Sequence, residues 1–502
     1  MNYALVYLIG AGPGDPGLLT LRGAECLRNA DVVLYDGLSN RALLAHAAGA
    51  EHICVGKHGQ SRIWTQEEII EEMLRHVRQG RVVARLKGGD PAVFARTAEE
   101  AEALKAAAIP FEIVPGITAA LAAGSYAGIP VTHRKLASAV ALVTGHEEPG
   151  KSESALDWDA LARFPGTLVI YMGVTTVETW TGALLAAGKP ADTPAAIVRR
   201  CSLSDQQRIH CRLDEIASHL TPASKFRPPV IVILGPVTQL QATFRWFEDR
   251  PLFGQRILVA RPEGQAESLA AELREQGAEV CLQPAIEIAP PESWTAVDDA
   301  WGAIAAGDTL VFASTNGVQF FLDRLATLGG DGRRLAGVRI AAVGRRTAEA
   351  LQGYGLRADI VPDRFDADAL AARLAPDARE RRFWLVRASR GRDTLDNALN
   401  DAGGEVIRVV AYRNQDVTAA DPDTAARLQA GELDWVAVTS SAIAHSLVRL
   451  FGDDLKTAKL ASISPITSEA LRSHGLDVDA EASEYTMDGL TQAILEHCQG
   501  GS

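Results

Sequence analysis

Two glycine-rich segments each carry an acid straight after an apolar run. Gly10-Ala11-Gly12-Pro13-Gly14-Asp15-Pro16 follows Ala4 to Ile9, and Lys87-Gly88-Gly89-Asp90-Pro91 follows Val82 to Leu86. Glycine at a strand end lets a ligand approach the backbone closely. The first segment has the outline of a GxGxxG phosphate loop, but a pyrophosphate needs N–H donors at a helix N-terminus. Pro13 removes one donor, and Asp15 adds a carboxylate where phosphates would lie. The pair therefore suits a ligand with a cationic centre and hydroxyls better than a phosphate ester, although the same residue types also build ordinary strand-to-helix turns.

Other chemistry is sparse. His52, Cys54 and His58 alternate as strand residues do and lack a fourth ligand, so no metal is expected. The six cysteines form no CxxC pair, which argues against a disulfide framework or a zinc ribbon. The second half carries no catalytic triad or phosphate loop. What it offers is Ser, Thr and Arg at the ends of apolar runs, with 23 of its 25 cations being Arg, the residue whose planar fork fits carboxylates.

The elements that position these residues read as α/β. Short apolar runs alternate with amphipathic patterns: Ala4 to Ile9 before a helix over Leu18 to Arg28, then Val32 to Tyr35, Val82 to Leu86, Phe111 to Val114, Ala139 to Val143, Thr167 to Tyr171, Ala195 to Val198 and Val230 to Leu234. This rhythm predicts mainly parallel sheets. The 502 residues carry a formal charge of −13, with 25 Lys+Arg against 26 Asp+Glu in residues 1–250 and 25 against 37 in 251–502. That balance disfavours a nucleic-acid partner. No apolar run reaches the roughly 20 residues that cross a bilayer, and a cytoplasmic protein without a membrane partner is expected.

The rhythm breaks over Trp246 to Gln255, read as a linker spanning 246–254. Beyond it lies a duplication. The stretch from Arg256 matches that from Arg382 at an offset of 126, pairing Arg261 with Arg387 and Gly277 with Gly403. Leu310 onward pairs with the segment near Val436, and Ile340 onward with Leu460 onward. A repeat this long marks duplicated α/β lobes, predicted as lobe A over 255–288 plus 414–502 and lobe B over 289–413, with a ligand cleft between them. The first half is divided into subdomains at 1–115 and 116–245.

The ordered segments LIGAGPGDPGLLTLRG, VVLYDGLS, VGKHG, RLKGGDPAVFARTAEE, VPGITAALAAGSYAGIPVTHR, VTGHE and LVIYMGV resemble the motif set of the tetrapyrrole methyltransferases, most closely the uroporphyrinogen-III C-methyltransferases, over residues 4–245. The resemblance implies a two-domain α/β fold and the cofactor S-adenosyl-L-methionine, whose sulfonium agrees with the acidic glycine loops. It implies cofactor contacts at Pro13, Gly88, Gly89, Asp90, Val93, Thr118, Ala119, Met172 and Cys201, and an acid/base pair of Asp36 and Lys57. It also implies a homodimer formed through this half. Arg85, Arg134 and Arg208 are candidates for holding substrate carboxylates. The chain departs from the family in Phe94-Ala95-Arg96-Thr97-Ala98-Glu99-Glu100, which lacks three glycines, in Lys57-His58-Gly59, and at Cys201, where relatives often carry Gly.

Over residues 255–502, VFASTNGV, AAVGRRTAEAL, RASRGRDTL with GGEVIRVVAYR, and SISPITSEALRSHGL resemble uroporphyrinogen-III synthase. That family closes hydroxymethylbilane while inverting its last ring, a reaction in which the protein mainly folds its substrate and assists the leaving hydroxide. The resemblance makes Arg261, Ser314, Thr315, Asn316, Arg387, Ser440, Ser441, Thr467 and Thr486 candidates for binding acetate and propionate arms. Aligning Thr439-Ser440-Ser441 with the family puts His445 where some synthases have a tyrosine that assists hydroxide departure. The whole chain then reads as a bifunctional enzyme that makes uroporphyrinogen III and methylates it to precorrin-2, towards sirohaem or cobalamin. A non-catalytic tetrapyrrole-binding second half is the alternative, and a dinucleotide-dependent oxidoreductase is disfavoured by the acidic loops.

Overall fold

A computed structural model describes residues 4–56, 64–147, 154–224, 226–364, 367–391 and 393–500. Lys57, half of the expected acid/base pair, lies outside the described residues, as does His58. The chain divides into two compact units, Met1–Gln255 with Arg274–Glu279, and Arg256–Leu273 with Val280–Ser502. No described helix is long and apolar enough to cross a membrane.

The first unit opens with β1 (Val6–Gly10), β2 (Val32–Tyr35), β3 (Glu51–Cys54), β4 (Val83–Lys87) and β5 (Phe111–Val114). They form one parallel sheet in the order β3-β2-β4-β1-β5. Side-chain alternation along each strand divides its core into two faces. Tyr7, Ile9, Val33, Ala84 and Leu86 pack on one face, while Val6, Leu8, Val32 and Val83 pack on the other against Ile69, Met73 and Leu104 of helices Gln66–Arg78 and Thr97–Ala106.

The second sheet of this unit joins β6 (Val140–Thr144), β7 (Thr167–Tyr171), β8 (Pro194–Arg199), β9 (Gln207–Arg212) and β10 (Val230–Leu234) in the order β6-β7-β10-β8-β9. Only β6 and β7 run parallel here, whereas β10 is antiparallel to both its neighbours and β8 to β9. The mainly parallel rhythm departs at this sheet because β8 returns directly as β9 through a short turn, with no crossover helix, and antiparallel pairing needs none.

The segment read as a linker is packed. Phe247 and Leu252 are 4% and 0% exposed. The Phe247 ring lies 4.7 Å from that of Tyr126, and the Trp246 indole N–H donates to the Ser125 carbonyl at 2.9 Å. Glu248 pairs with Arg208 at 2.7 Å. These aromatics cover the end of helix Ala119–Tyr126, so 246–252 finishes the first core instead of tethering it loosely.

In the second unit β11 (Arg256–Val259) and β12 (Glu279–Leu282) begin lobe A. The chain then leaves to build lobe B from β13 (Ile286–Ala289), β14 (Thr309–Phe312), β15 (Arg339–Ala342), β16 (Arg382–Ala388) and β17 (Glu405–Asp416), and returns for β18 (Trp435–Val438), β19 (Lys459–Ser462) and β20 (Ala480–Glu481). The sheets are ordered β12-β11-β18-β19-β20 and β13-β17-β16-β14-β15. A bridge from Ala341 to Ile360 stands where β20 would be, so each strand of lobe A has its counterpart in lobe B, which adds β13 at its edge. Gly277 and Gly403 occupy the same turn with φ of 101° and 86°, a left-handed conformation that only glycine takes without strain. Because β13 pairs antiparallel with β17 along Ile286–Ala289 and Arg413–Asp416, lobe B runs 286–416 and extends slightly past its expected limits at both ends.

Candidate functional site

The loops after β1, β2, β4 and β5 converge at the C-terminal edge of the first sheet, where open α/β sheets bind ligands. Gly12 and Gly89 form a two-way bridge, with N···O distances of 3.1 and 2.8 Å. A side chain at Gly10 would put its Cβ 2.5 Å from the Gly116 Cα, and one at Gly116 would come 2.3 Å from the Gly89 carbonyl oxygen. These three backbones touch, which explains the glycines. Gly88 and Gly89 differ: an added Cβ would meet nothing nearer than the Leu38 Cβ at 4.0 Å or the Ala119 nitrogen at 3.9 Å. On that side the two glycines leave room for a ligand against their Cα atoms, while the Gly88 N–H is taken by Asp36 and both Gly89 backbone groups by Gly12.

The acids of both loops hold their own turns. The Asp90 carboxylate accepts from Ala92 N–H at 2.7 Å and Gly116 N–H at 2.9 Å, tying the β4 loop to the β5 loop. Asp15 accepts from Gly17 N–H at 2.8 Å and from the Tyr126 hydroxyl at 2.7 Å. Burial, and next its bond to Asp15, push the Tyr126 phenol above its ordinary range. The negative charges remain at the strand-end loops, but their oxygens are engaged by the protein.

The second sheet supplies an apolar wall. Tyr171, at the end of β7, accepts from Ala120 N–H at 2.9 Å and hydrogen-bonds the Thr118 hydroxyl at 2.6 Å. Val93 and Ala119 pack into the same cluster with Tyr171 and Cys201. Burial drives the Cys201 thiol to about 12, so it is an inert apolar filler. Phe94, Met172, Arg200 and Ser202 all hold positive φ, between 51° and 69°, and the Phe94 and Tyr171 rings lie 5.0 Å apart. Such strain in non-glycine residues gathers at functional sites. Met172 is half exposed. The candidates Pro13, Gly88, Gly89, Asp90, Val93, Thr118, Ala119, Met172 and Cys201 thus fall on loops and packing linked by these contacts.

Asp36 stands at the end of β2. Its Oδ1 lies 2.5 Å from Arg85 Nη2, and its Oδ2 accepts from Gly88 N–H at 3.3 Å. Arg85 is therefore not a free substrate ligand. It is 3% exposed, and its guanidinium also reaches Glu100 at 3.2 Å, while Lys87 meets the other Glu100 oxygen at 2.6 Å. Burial pulls the Arg85 pKa down, but Asp36 and Glu100 more than offset it; burial and Arg85 lower that of Lys87. Arg208 is likewise occupied, by Glu248 and the Ala127 carbonyl, where it joins the strand β9 to the 246–252 cover. Arg134 sits exposed on the turn between His133 and Ala137.

In the second unit each lobe has the strand order of a doubly wound sheet, with its crevice between the first and third strands of the repeat. In lobe A that crevice opens between Arg261 after β11 and Ser440-Ser441 after β18; in lobe B it opens between Arg387 at the end of β16 and Ser314-Thr315 after β14. The duplicated arginines are not equivalent. Arg387 pairs with Asp393 at 2.9 Å and with the buried Asp396 at 3.0 Å, so its charge is neutralised within lobe B. Arg261 donates to the Gln265 carbonyl at 2.9 Å and has no carboxylate partner among the described residues. Burial lowers its pKa, and the positive charge of Arg346 from lobe B lowers it further.

The serines are helix caps first. Ser314, Ser440 and Ser464 accept from the N–H three residues on, and with Gly344 they start four helices at the ends of β14, β18, β19 and β15. The N-termini at Ser440 and Ser314 bring the positive ends of helix dipoles to the two crevices, and those at Ser464 and Gly344 stand at the next strand end. Thr467 is buried against the Ser464 cap, whereas Thr486 is exposed and accepts from Gly489 N–H at 3.0 Å. Asn316 accepts from Gln265 at 2.9 Å, joining the lobes. His445 is exposed one turn into its helix, with Nδ1 2.8 Å from Nε2 of His474, so its ring belongs to the helix surface and not to the strand-end hydroxyls. The group that does reach Ser314 is Tyr412 on β17. Its hydroxyl lies 2.9 Å from Ser314 Oγ, its ring stacks on Phe320, and burial raises its pKa. The only sequence signal for it was a tyrosine ending an apolar strand beside the repeat's Arg387.

The pattern of the tetrapyrrole (corrin/porphyrin) methylases matches residues 5–217, and that of uroporphyrinogen-III synthase HemD matches residues 267–492. A porphyrin biosynthesis protein HemD of Ruminiclostridium josui is 35% identical over 499 residues, 99% of this chain and 98% of its own. An S-adenosyl-L-methionine-dependent uroporphyrinogen III methyltransferase of Methanosarcina barkeri is 48% identical over 240 residues, 48% of this chain and 94% of its own. A crystal structure of uroporphyrin-III C-methyltransferase from Thermus thermophilus with S-adenosyl homocysteine covers 47% of this chain and 99% of its own at 43% identity, with a TM-score of 0.41. With one relative aligned from end to end and a family pattern on each unit, the chain belongs to the fused proteins in which a tetrapyrrole methylase precedes a uroporphyrinogen-III synthase.

Proposed function

We propose that the second unit closes hydroxymethylbilane to uroporphyrinogen III with inversion of the last ring, and that the first unit methylates this product at C2 and C7 to precorrin-2. The observation that carries the methylation reading is the uncrowded Gly88-Gly89 turn beside a fixed Asp36 carboxylate. S-adenosyl-L-methionine supplies an electrophilic methyl group, and this turn, the apolar Val93 and Ala119 and the strained Met172 fit a ligand held by backbone and apolar surface. Asp36 accepts the proton that the macrocycle loses as its carbon is alkylated, with Lys57 as its proposed partner.

For ring closure, Arg261 and the helix N-termini at Ser314 and Ser440 offer positive charge to the acetate and propionate arms. Tyr412, protonated at neutral pH, donates to the departing hydroxide. Both activities are assigned to the cytoplasm, and the protein to a homodimer through the first unit, whose edge near β5 leaves Leu21 91% and Ile113 45% exposed. Sedimentation of the full chain at twice the protomer mass would support that pairing.

A coupled assay tests the whole reading. Hydroxymethylbilane alone should yield the type III ring, and adding S-adenosyl-L-methionine should consume two equivalents per ring. Formation of the type I ring alone would make the second unit a tetrapyrrole-binding module instead.

A further inference from the structure

Strand β4 is the central strand of its sheet, and all five residues of Val83-Ala84-Arg85-Leu86-Lys87 are buried. Arg85 and Lys87 share the face covered by helices Gln66–Arg78 and Thr97–Ala106, and the second of these helices delivers Glu100, which is 0% exposed. Gln66 of the first helix donates to the same carboxylate at 3.1 Å. Burying ions in a sheet core costs several kcal/mol each before pairing, and apolar residues of similar size would commonly be as stable there. The arrangement therefore calls for a purpose other than stability. Its geometry supplies one, because the chain of contacts runs outward from Lys87 to Glu100, to Arg85 and then to Asp36, the one member at the open end of the sheet, whose side chain is 32% exposed.

We infer that Arg85 and Glu100 are positioning residues for methyl transfer. Glu100 takes the Arg85 Nε and fixes the plane of the guanidinium; Arg85 Nη2 then holds Asp36 Oδ1 while Gly88 N–H holds Oδ2. With both oxygens anchored, the carboxylate cannot rotate, and its remaining lone pairs face one direction. Lys87 takes the second oxygen of Glu100, so that Arg85 and Lys87 together balance the single charges of Asp36 and Glu100 and leave no net charge beneath the site. The inference rests on the reading of Asp36 as the proton acceptor.

The test uses the full chain with uroporphyrinogen III supplied, measuring kcat, KM and the affinity for S-adenosyl homocysteine. Asp36→Asn should lower kcat at least about 100-fold. Glu100→Gln and Arg85→Lys should each lower kcat about tenfold, with KM and cofactor-product affinity within about twofold, since neither touches the Gly88-Gly89 turn. In the Asp36→Asn background the same two changes should cause no further loss, because they act through that carboxylate. Thermal melts separate loss of fold from loss of aim, and Arg85→Lys, which keeps the charge, serves if Glu100→Gln does not fold. Wild-type kcat in either folded variant, or losses that multiply with Asp36→Asn, would overturn the positioning role while leaving Asp36 in place. Wild-type turnover of Asp36→Asn would instead overturn the proton-acceptor reading beneath it.

Discussion

In the first unit the charges nearest the candidate site are paired with one another beside a glycine turn; in the second unit one duplicated arginine is paired with carboxylates and its twin is not. The Asp36–Arg85–Glu100 chain leaves no free cation among its members, whereas Arg261 sits in a crevice rimmed by helix N-termini with another arginine opposite. A methyl transferred to a carbon needs one oriented proton acceptor and a snug donor site. A ring closure driven by the substrate's own pyrroles needs its carboxylate arms gathered. The contrast in charge pairing follows that contrast in task.

The strongest way to break the comparison is at Asp36. Its change to Asn should reduce methylation at least about 100-fold and leave ring closure unchanged, and parallel assays on one preparation check both halves of that statement. Next, Gly10→Ala should lower affinity for S-adenosyl homocysteine by about tenfold or more and destabilise the first unit by about 1–3 kcal/mol, because its Cβ would lie 2.5 Å from the Gly116 Cα; calorimetric titration and denaturant melts read these. Tyr412→Phe removes one phenolic hydrogen bond and should slow type III ring formation about tenfold with methylation intact; a rate unchanged from wild type would exclude the hydroxyl. Ser314→Ala and Ser440→Ala should each cost about 1 kcal/mol of stability, equally in the two lobes, through loss of a helix cap. The smallest effect belongs to His445→Ala, for which closure should stay within about twofold of wild type, since the ring is turned to His474.

Much of this architecture was legible beforehand. The duplication, the alternation of strands and the two glycine loops follow from periodicity and from turn chemistry, which are local. The fate of the arginines was not, because a guanidinium reads the same whether its carboxylate belongs to a ligand or to the chain. Arg85, Arg208 and Arg387 all found partners on other elements: Glu100 from the next helix, Glu248 from the packed 246–252 segment, Asp396 from the helix after the strand. One clue was available. Arg85 and Lys87 stand two apart in an otherwise apolar run, so both must face the same buried surface and cannot remain unpaired. Tyr412 escaped notice because its neighbour Ser314 lies 98 residues away in sequence.

The insertion of lobe B inside lobe A also sets an order of events during synthesis. Lobe B is one continuous stretch, so its sheet can close soon after β17 leaves the ribosome. Lobe A begins earlier and finishes later: β11 must wait for β18, and the contact of Arg256 with Asp434 that starts their pairing spans 178 residues. Until then β11 has its eventual centre-of-sheet edge exposed, a surface open to wrong pairing. A nascent chain stalled before β18 should therefore present a protease-resistant lobe B flanked by a labile lobe A, and the older end of the unit would be the last to mature.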